Sequence, residues 1–364
     1  MADIIISGYH GFANSGDEAL LFAILNTLRR LRPDIDITVL SKTPKETASL
    51  YSVKSIYRYN FLKIRKEMKN SKMLLFGGGS LLQDATSSKS ILYYLSVLAL
   101  AQKQGLKTML YANGIGPITK KINHRLSKKI LNKTDLITLR DDRSDEELKN
   151  LDVTKPEIII TADPAFTIDL DTSLSGKYLT RMAGVKDEKK IFVVSVRKWK
   201  NSCKNFCPDL ARLCDYMVEN YNLYPLFIPM QYPDDMEISQ NVMNHMHHPS
   251  YIISRSLSVP ETFSVLSEAE LVVGMRLHSL IYATTLEIPA MALVYDMKIS
   301  AFMNSVNQPD WINVENFTFE GAKETVDTII KEKENKKEEL RKTNALLKQK
   351  ALENALYAIN LLDK

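Results

Sequence analysis

Five residues able to hold or move charge stand where apolar runs end. They are Arg140 in ITLRDD, Arg197 in VSVRKW, Arg276 and His278 in GMRLHS, and Lys298 in YDMKIS. An isolated arginine at a strand end usually pairs with a local carboxylate, and Arg140 has Asp141 and Asp142 beside it. Four cations converging on one place are a different matter. Their mutual repulsion calls for a multiply charged ligand, and guanidinium groups suit a carboxylate or a phosphate in bidentate geometry. GMRLHS is itself unusual, because a helix N-terminus already carries about half a positive charge and disfavours cations. Something negative is expected there. His278 alone would read as structural, but beside Arg276 it becomes a candidate general acid.

Carboxylates and glycines occupy other strand ends. In GYHGFANSGDEALL, Gly8, Gly11 and Gly16 permit a tight loop, and Asn14 or Ser15 can cap the helix that follows. Asp17 and Glu18 fall in its first turn, where acidic residues complement the helix dipole. Asp17 could equally face a ligand as a general base or accept sugar hydroxyls, whereas Glu18 fits the dipole role better. LLFGGGSLLQD places Gly77, Gly78 and Gly79 at an expected strand end, where bare backbone N–H groups could meet an anion. No Gly-Lys-Ser/Thr follows, and the spacing is not the dinucleotide fingerprint. ANGIGP repeats the glycine turn, with Asn113 as a polar contact.

The elements that must position these residues alternate along the chain. Strands are expected at DIIISG, DITVLS, KMLLFGGG, KTMLYANG, DLITLRD and EIIITADPAF, then at KIFVVSVR, LYPLFIPM, SYIIS, AELVVGM and PAMALVYD. Amphipathic helical segments separate them, which argues for parallel sheets with crossover helices. The expected fold is α/β and GT-B-like: two doubly wound Rossmann-type domains facing across a cleft, with ligands beyond the strands' carboxyl ends. The expected domains are 1–172 and 173–335, linked within Ile168–Met182, with a helix at 336–364 packing back on the first domain or making a dimer contact.

Composition narrows the class. No apolar run reaches the roughly 18 residues of a membrane span, and the first residues run into a strand with no basic n-region. A cytoplasmic protein is expected. Three cysteines give neither a disulfide framework nor a zinc spacing, and HMHH at 245–248 stands in a polar loop, so no metal or cofactor is expected. A net charge of +5 is too mild to argue for nucleic acid. The basic segment Lys120–Lys133 would carry Ile122, Leu126 and Ile130 on one face; it could lie on anionic lipid or be a packed, solvated helix.

GYHGFANSGDEALL, LLFGGGSLLQD, ANGIGP, LRDDRS, ADPAF, SVRKW, FIPMQYPDD and VGMRLHSLIYA…PAMALVYDMK occur in order across most of the chain. As an ordered set they resemble the polysaccharide pyruvyl transferase family, and most closely its CsaB-type members of cell-wall polymer synthesis. The likeness departs at SVRKWK, where Lys198 stands in place of an expected proline. It implies a GT-B-like fold and transfer of pyruvate from phosphoenolpyruvate onto two sugar hydroxyls as a cyclic ketal. For CsaB-type members the acceptor is N-acetylmannosamine on a lipid-linked intermediate, which places the enzyme at the inner face of the cell membrane in S-layer anchoring. Roles at the anion or in catalysis then fall on Arg140, His278 and Lys298, with Arg197, Arg276 and Ser279 on the donor side. Asp17 is the expected base. Tyr9, Asn14, Glu18, Gly77, Gly78, Gly79, Asn113, Gln231 and Asp234 are expected as acceptor or loop contacts. Two competing readings are a glycosyltransferase using a nucleotide-sugar and a non-catalytic glycan-binding protein.

Overall fold

The computed structural model describes residues 2–84, 88–170 and 175–364. Its strands are β1 (Ile4–Ser7), β2 (Ile37–Ser41), β3 (Lys54–Tyr57), β4 (Met73–Leu82), β5 (Lys107–Ile115), β6 (Leu136–Leu139) and β7 (Glu157–Ile160), then β8 (Lys190–Ser195), β9 (Leu223–Phe227), β10 (Tyr251–Ile252), β11 (Ala269–Gly274), β12 (Ala290–Val294) and β13 (Trp311–Asn313). They form two parallel sheets, ordered β3-β2-β1-β4-β5-β6-β7 and β10-β9-β8-β11-β12-β13. β1, β2, β6 and β12 are buried at every position, as strands covered by helices on both faces must be. Each sheet reverses direction of travel once, between β1 and β4 and between β8 and β11. That switch point is where open α/β sheets leave a crevice at the carboxyl edge.

The chain divides into two compact units. One contains Met1–Phe12, Asp17–Ile168 and Leu347–Lys364; the other contains Ala13–Gly16 and Asp169–Leu346. The expected boundary at 172/173 lies outside the described residues. The last helix, Lys333–Asp363, is shared between the units, and its final part packs Ala355, Ala358, Leu361 and Leu362 into the core under β1 and β2. Asn354 fixes that contact, accepting from the Thr161 hydroxyl at 2.8 Å and donating to the Ala162 carbonyl.

Two expected elements are corrected. Gly77, Gly78 and Gly79 do not end a strand; they lie inside β4, paired with β5 through Gly77↔Tyr111 and Gly79↔Asn113. Their missing side chains admit the helix Ser15–Leu31, since a Cβ on Gly78 would meet Leu20 and one on Gly79 would lie 3.2 Å from the Asp17 carboxylate. Both have positive φ, which glycine adopts without strain. In the basic helix, Lys121–Leu131, Leu126 and Ile130 pack on the core as a solvated, packed helix requires, but Ile122 is exposed, and Asn123, Ser127 and Leu131 are the buried positions. Asn123 wins a buried place because its amide donates to the Asp84 carboxylate at 2.9 Å.

Candidate active site

In the second unit, three adjacent strands deliver the expected cations to one sheet edge. Arg197 follows β8, Arg276 and His278 follow β11, and Lys298 follows β12. The N–H of Met275 donates to Ser195 O at 2.7 Å, tying the first two strand ends together. Arg276 is the N-cap of the helix Leu277–Thr285, and the negative partner its position demands is Asp235. Nε and Nη2 of Arg276 donate to the two Asp235 oxygens at 2.6 and 2.5 Å, a bidentate pair with the carboxylate almost wholly buried. Asp235 also accepts the Gln231 N–H, so it pins the loop after β9 as well.

Arg197 is held differently. Its Nη1 donates to the Tyr295 hydroxyl at 3.0 Å and its guanidinium lies over the Trp199 and Tyr295 rings. Among the described residues no carboxylate pairs with it. Lys298 is 38% exposed, with Asp296 at 3.6 Å, while Asp296 caps the Lys298 N–H. His278, half-buried, sits directly against Gly16: a Cβ there would lie 2.1 Å from its Nδ1. Ala13–Gly16 are held to this unit by the Asn14↔Gln231 bridge, by Ser15 N–H to Met230 O, and by the Tyr282 hydroxyl donating to Ser15 O at 2.8 Å. The glycine of SGDEALL is therefore the surface on which the imidazole rests.

In the first unit, Arg140 at the end of β6 is only 7% exposed. Its Nη1 donates to Asp163 at 2.9 Å and its Nη2 to the Ser80 hydroxyl at 3.0 Å. Gly114 lets the guanidinium pass, because a Cβ there would come within 3.2 Å of Nε and Nη2. The neighbouring Asp141 mainly caps the next helix through the Ser144 N–H. The Asp17 carboxylate lies beside Gly79.

The expectation that strand-end cations await a ligand to cancel their repulsion is corrected for Arg140 and Arg276. Buried aspartates, Asp163 and Asp235, already neutralise two of the arginines. Several further expected contacts serve the fold. Ser279 is buried and its hydroxyl donates to Arg276 O. Asn113 is buried and donates to the Gly78 and Gly79 carbonyls. Glu18 accepts the Gly11 N–H at 2.8 Å and the Tyr51 hydroxyl at 2.7 Å, and burial raises its pKa above the usual range. The Gln231 amide donates to Asp234. Asn14 caps its helix, accepting the Gly16 N–H, and Tyr9 stacks on Phe12 at 4.0 Å.

Sequence reasoning missed Asp163, Asp235, Ser80, Tyr295, His10 and Arg58. ADPAF and QYPDD place the two aspartates in view, yet only the turn geometry decides that Asp235, not Asp234, faces the arginine. His10 is 1% exposed, and burial, with the Arg58 charge nearby, pushes its pKa down to about 3. Gly8 makes room for it, since a Cβ there would strike the ring at 2.3 Å.

A family model described as polysaccharide pyruvyl transferase matches residues 14–297, a span running from the Asn14 cap to the edge of Lys298. The chain belongs to the polysaccharide pyruvyl transferase family. It is also similar to the amylovoran biosynthesis protein AmsJ of Erwinia amylovora, 20% identical over 363 positions covering 84% of this chain and 86% of that protein. Solved structures of similar fold include a UDP-GlcNAc 2-epimerase from Neisseria meningitidis bound to UDP-GlcNAc (13% identity, TM-score 0.65, 99% and 100% of the two chains). A glycosyltransferase from Rickettsia africae is comparable (12% identity, TM-score 0.64, 100% and 99%). These likenesses establish the GT-B type of two Rossmann-like domains. Membership of the pyruvyl transferases makes the protein a transferase that modifies polysaccharide.

Proposed function

We propose that the protein moves the pyruvyl group of phosphoenolpyruvate onto two hydroxyls of a cell-wall sugar, forming a cyclic ketal and releasing phosphate. The observation that carries this reading is the set Arg197, Arg276, His278 and Lys298 at the switch point of the second sheet of a pyruvyl transferase. Phosphoenolpyruvate carries a carboxylate and a phosphate, and this edge offers more than one cation. His278 protonates the methylene carbon, which makes the central carbon electrophilic. A sugar hydroxyl bonds to that carbon and gives its proton to a general base. A second hydroxyl then bonds to the same carbon as its bond to the phosphate oxygen breaks, and its proton leaves with phosphate. Arg197 and Lys298 hold the anionic groups and stabilise the departing phosphate, beside an Arg276 kept in place by Asp235.

The acceptor in this reading is a lipid-linked precursor carrying N-acetylmannosamine, met at the inner face of the cell membrane. Among the described residues no helix is long and apolar enough to cross a membrane, so contact with a bilayer would be peripheral. The test is incubation with phosphoenolpyruvate and lipid-linked disaccharides, with phosphate release and the pyruvyl adduct followed by mass. Phosphate release matched by adduct supports the reading. Release of nucleotide from a nucleotide-sugar, with phosphoenolpyruvate untouched, would replace it with glycosyl transfer.

A further inference from the structure

The first unit exposes a wall of aromatic rings that the transfer chemistry above does not use. Tyr57 ends β3, and Tyr59 and Phe61 follow at alternate positions; they are 40, 49 and 40% exposed. Burial would be worth roughly 1.5–3 kcal/mol for a ring of this size, so three exposed rings side by side ask for a reason. Nor are they loosely held. Tyr57 and Tyr59 meet edge-on at 5.6 Å, Tyr59 and Phe61 each contact Tyr93 edge-on, and Tyr93 packs on buried Tyr94.

Behind the wall stands Arg58, 3% exposed, with its guanidinium over the rings of Phe12, Tyr59, Tyr93 and Tyr94. Among the described residues it forms no ion pair, and its Nη1 donates to Gly8 O at 3.0 Å. A guanidinium stacked against several rings fixes their orientation. In front, the Lys42 ammonium lies over Tyr57 and Tyr59 and donates to the Tyr57 hydroxyl. The wall continues at Tyr57 into an open groove of about 930 Å³, lined by Pro44 and Ile56 together with polar side chains such as Asn60, Lys63, Lys66 and Glu46. That is the upper end of the roughly 300–1,000 Å³ typical of ligand sites.

We propose that this wall and groove form a saccharide-binding platform, on which sugar rings of the acceptor chain stack against Tyr57, Tyr59 and Phe61. A pyranose ring presents an apolar C–H face and a rim of hydroxyls. Rigid ring faces beside lysine, asparagine and carboxylate side chains match both parts. A bilayer would match the rings and the lysines but not the exposed Glu46 carboxylate in the same groove, where Glu67 is already paired with Lys54. Arg58 is a positioning residue in this arrangement. The proposal rests on the polysaccharide acceptor of the transfer reading, and it extends acceptor recognition beyond the sugar that reacts.

The test is binding without donor. The full chain is immobilised and titrated with short pyruvate-free oligosaccharides containing N-acetylmannosamine, glucose or galactose. Wild type is expected to retain at least one of them. Tyr59→Ala and Phe61→Ala are expected to weaken it by roughly tenfold each, the scale of base stacking on aromatic rings, while Tyr59→Phe restores it. Both positions are exposed, so far-ultraviolet circular dichroism should not change. No retention by wild type, or retention indifferent to the ring deletions, would overturn the platform. Ring-dependent binding to phosphatidylglycerol vesicles with no glycan retained would assign the surface to lipid and overturn it too. Absence of phosphate release from phosphoenolpyruvate, with glycan retention intact, would instead remove the transfer reading and leave the platform standing.

Discussion

The carboxyl edges of the two sheets carry the same residue types in opposite states. On the first sheet, His10 and Arg58 are almost wholly buried and Arg140 is locked between Asp163 and Ser80. On the second, His278 and Arg197 are half-buried and Lys298 is 38% exposed, in a loose pair with the exposed Asp296 at 3.6 Å. The first edge therefore uses cations as construction. Arg58 backs an aromatic wall, and His10 fills the space that Gly8 leaves. The second edge holds one arginine rigid through Asp235 and leaves Arg197 and Lys298 without buried carboxylates. Strand-end position alone does not make a ligand site; the supply of buried aspartate decides which cations remain for a substrate.

The sharpest way to break this contrast is to remove the half-buried histidine. His278→Gln is expected to lower kcat by roughly 10²–10⁴-fold, the usual worth of a positioned proton donor, with an unchanged melting curve. Near-normal turnover would remove His278 from the chemistry and leave the two edges alike. The next effect is on stability. Asp163→Asn leaves the buried Arg140 charge with only the longer contact to Asp141 at 3.6 Å, and Asp235→Asn strands that of Arg276. Each is expected to cost about 3–5 kcal/mol in denaturant unfolding, the scale for breaking a buried pair from one side. A loss under about 1 kcal/mol, the scale of a surface pair, would mean that the arginine is not committed to its aspartate.

Much of this was legible from the chain. The eleven strands expected from apolar runs all occur: nine are interior and apolar on both faces, and the edge strands β7 and β10 keep the runs EIII and YII. The two that escaped notice, β3 and β13, are edge strands of their sheets with mixed exposure, so KSIY and WIN carry no apolar run. GMRLHS announced a missing negative charge and the structure supplied Asp235, although the loop that carries it lies about forty residues away in sequence. The glycines of FGGGS misled because glycine marks close approach without saying what approaches: here a helix, not an anion. Arg58 gave no signal, since cation–ring packing depends on Tyr93 and Tyr94, brought in by a distant helix.

Smaller effects sharpen the contrast within the second edge. Lys298→Met is expected to raise the KM for phosphoenolpyruvate roughly tenfold, about 1.4 kcal/mol of binding, with stability unchanged within about 0.5 kcal/mol. Arg276→Met should differ in kind, because it leaves the buried Asp235 carboxylate unpaired and lowers stability as well as activity. Equal stability of the two variants would show that Asp235 finds another partner and that the two cations are held alike.

The remaining difference, between buried His10 and half-buried His278, is readable in the pH dependence of stability. The folded pKa of His10 is about 3, against roughly 6.5 in an unfolded chain. Between those values the unfolded state binds one more proton at this residue, so stability rises with pH across the window. The contribution is complete above about pH 6.5 and is lost as pH falls towards 3, at up to about 1.4 kcal/mol per pH unit. Asp84 and Glu261, both held at about 2, add acid sensitivity only once the unfolded carboxylates titrate, below about pH 4.5. Glu18, raised by burial, acts with the opposite sign, but it does so equally in a variant and cancels from the difference. His10→Gln should therefore flatten unfolding free energy between about pH 6.5 and 4.5 relative to wild type. An identical slope in the two proteins would mean that His10 takes up its proton in the folded state, and that the first edge is as open to water as the second.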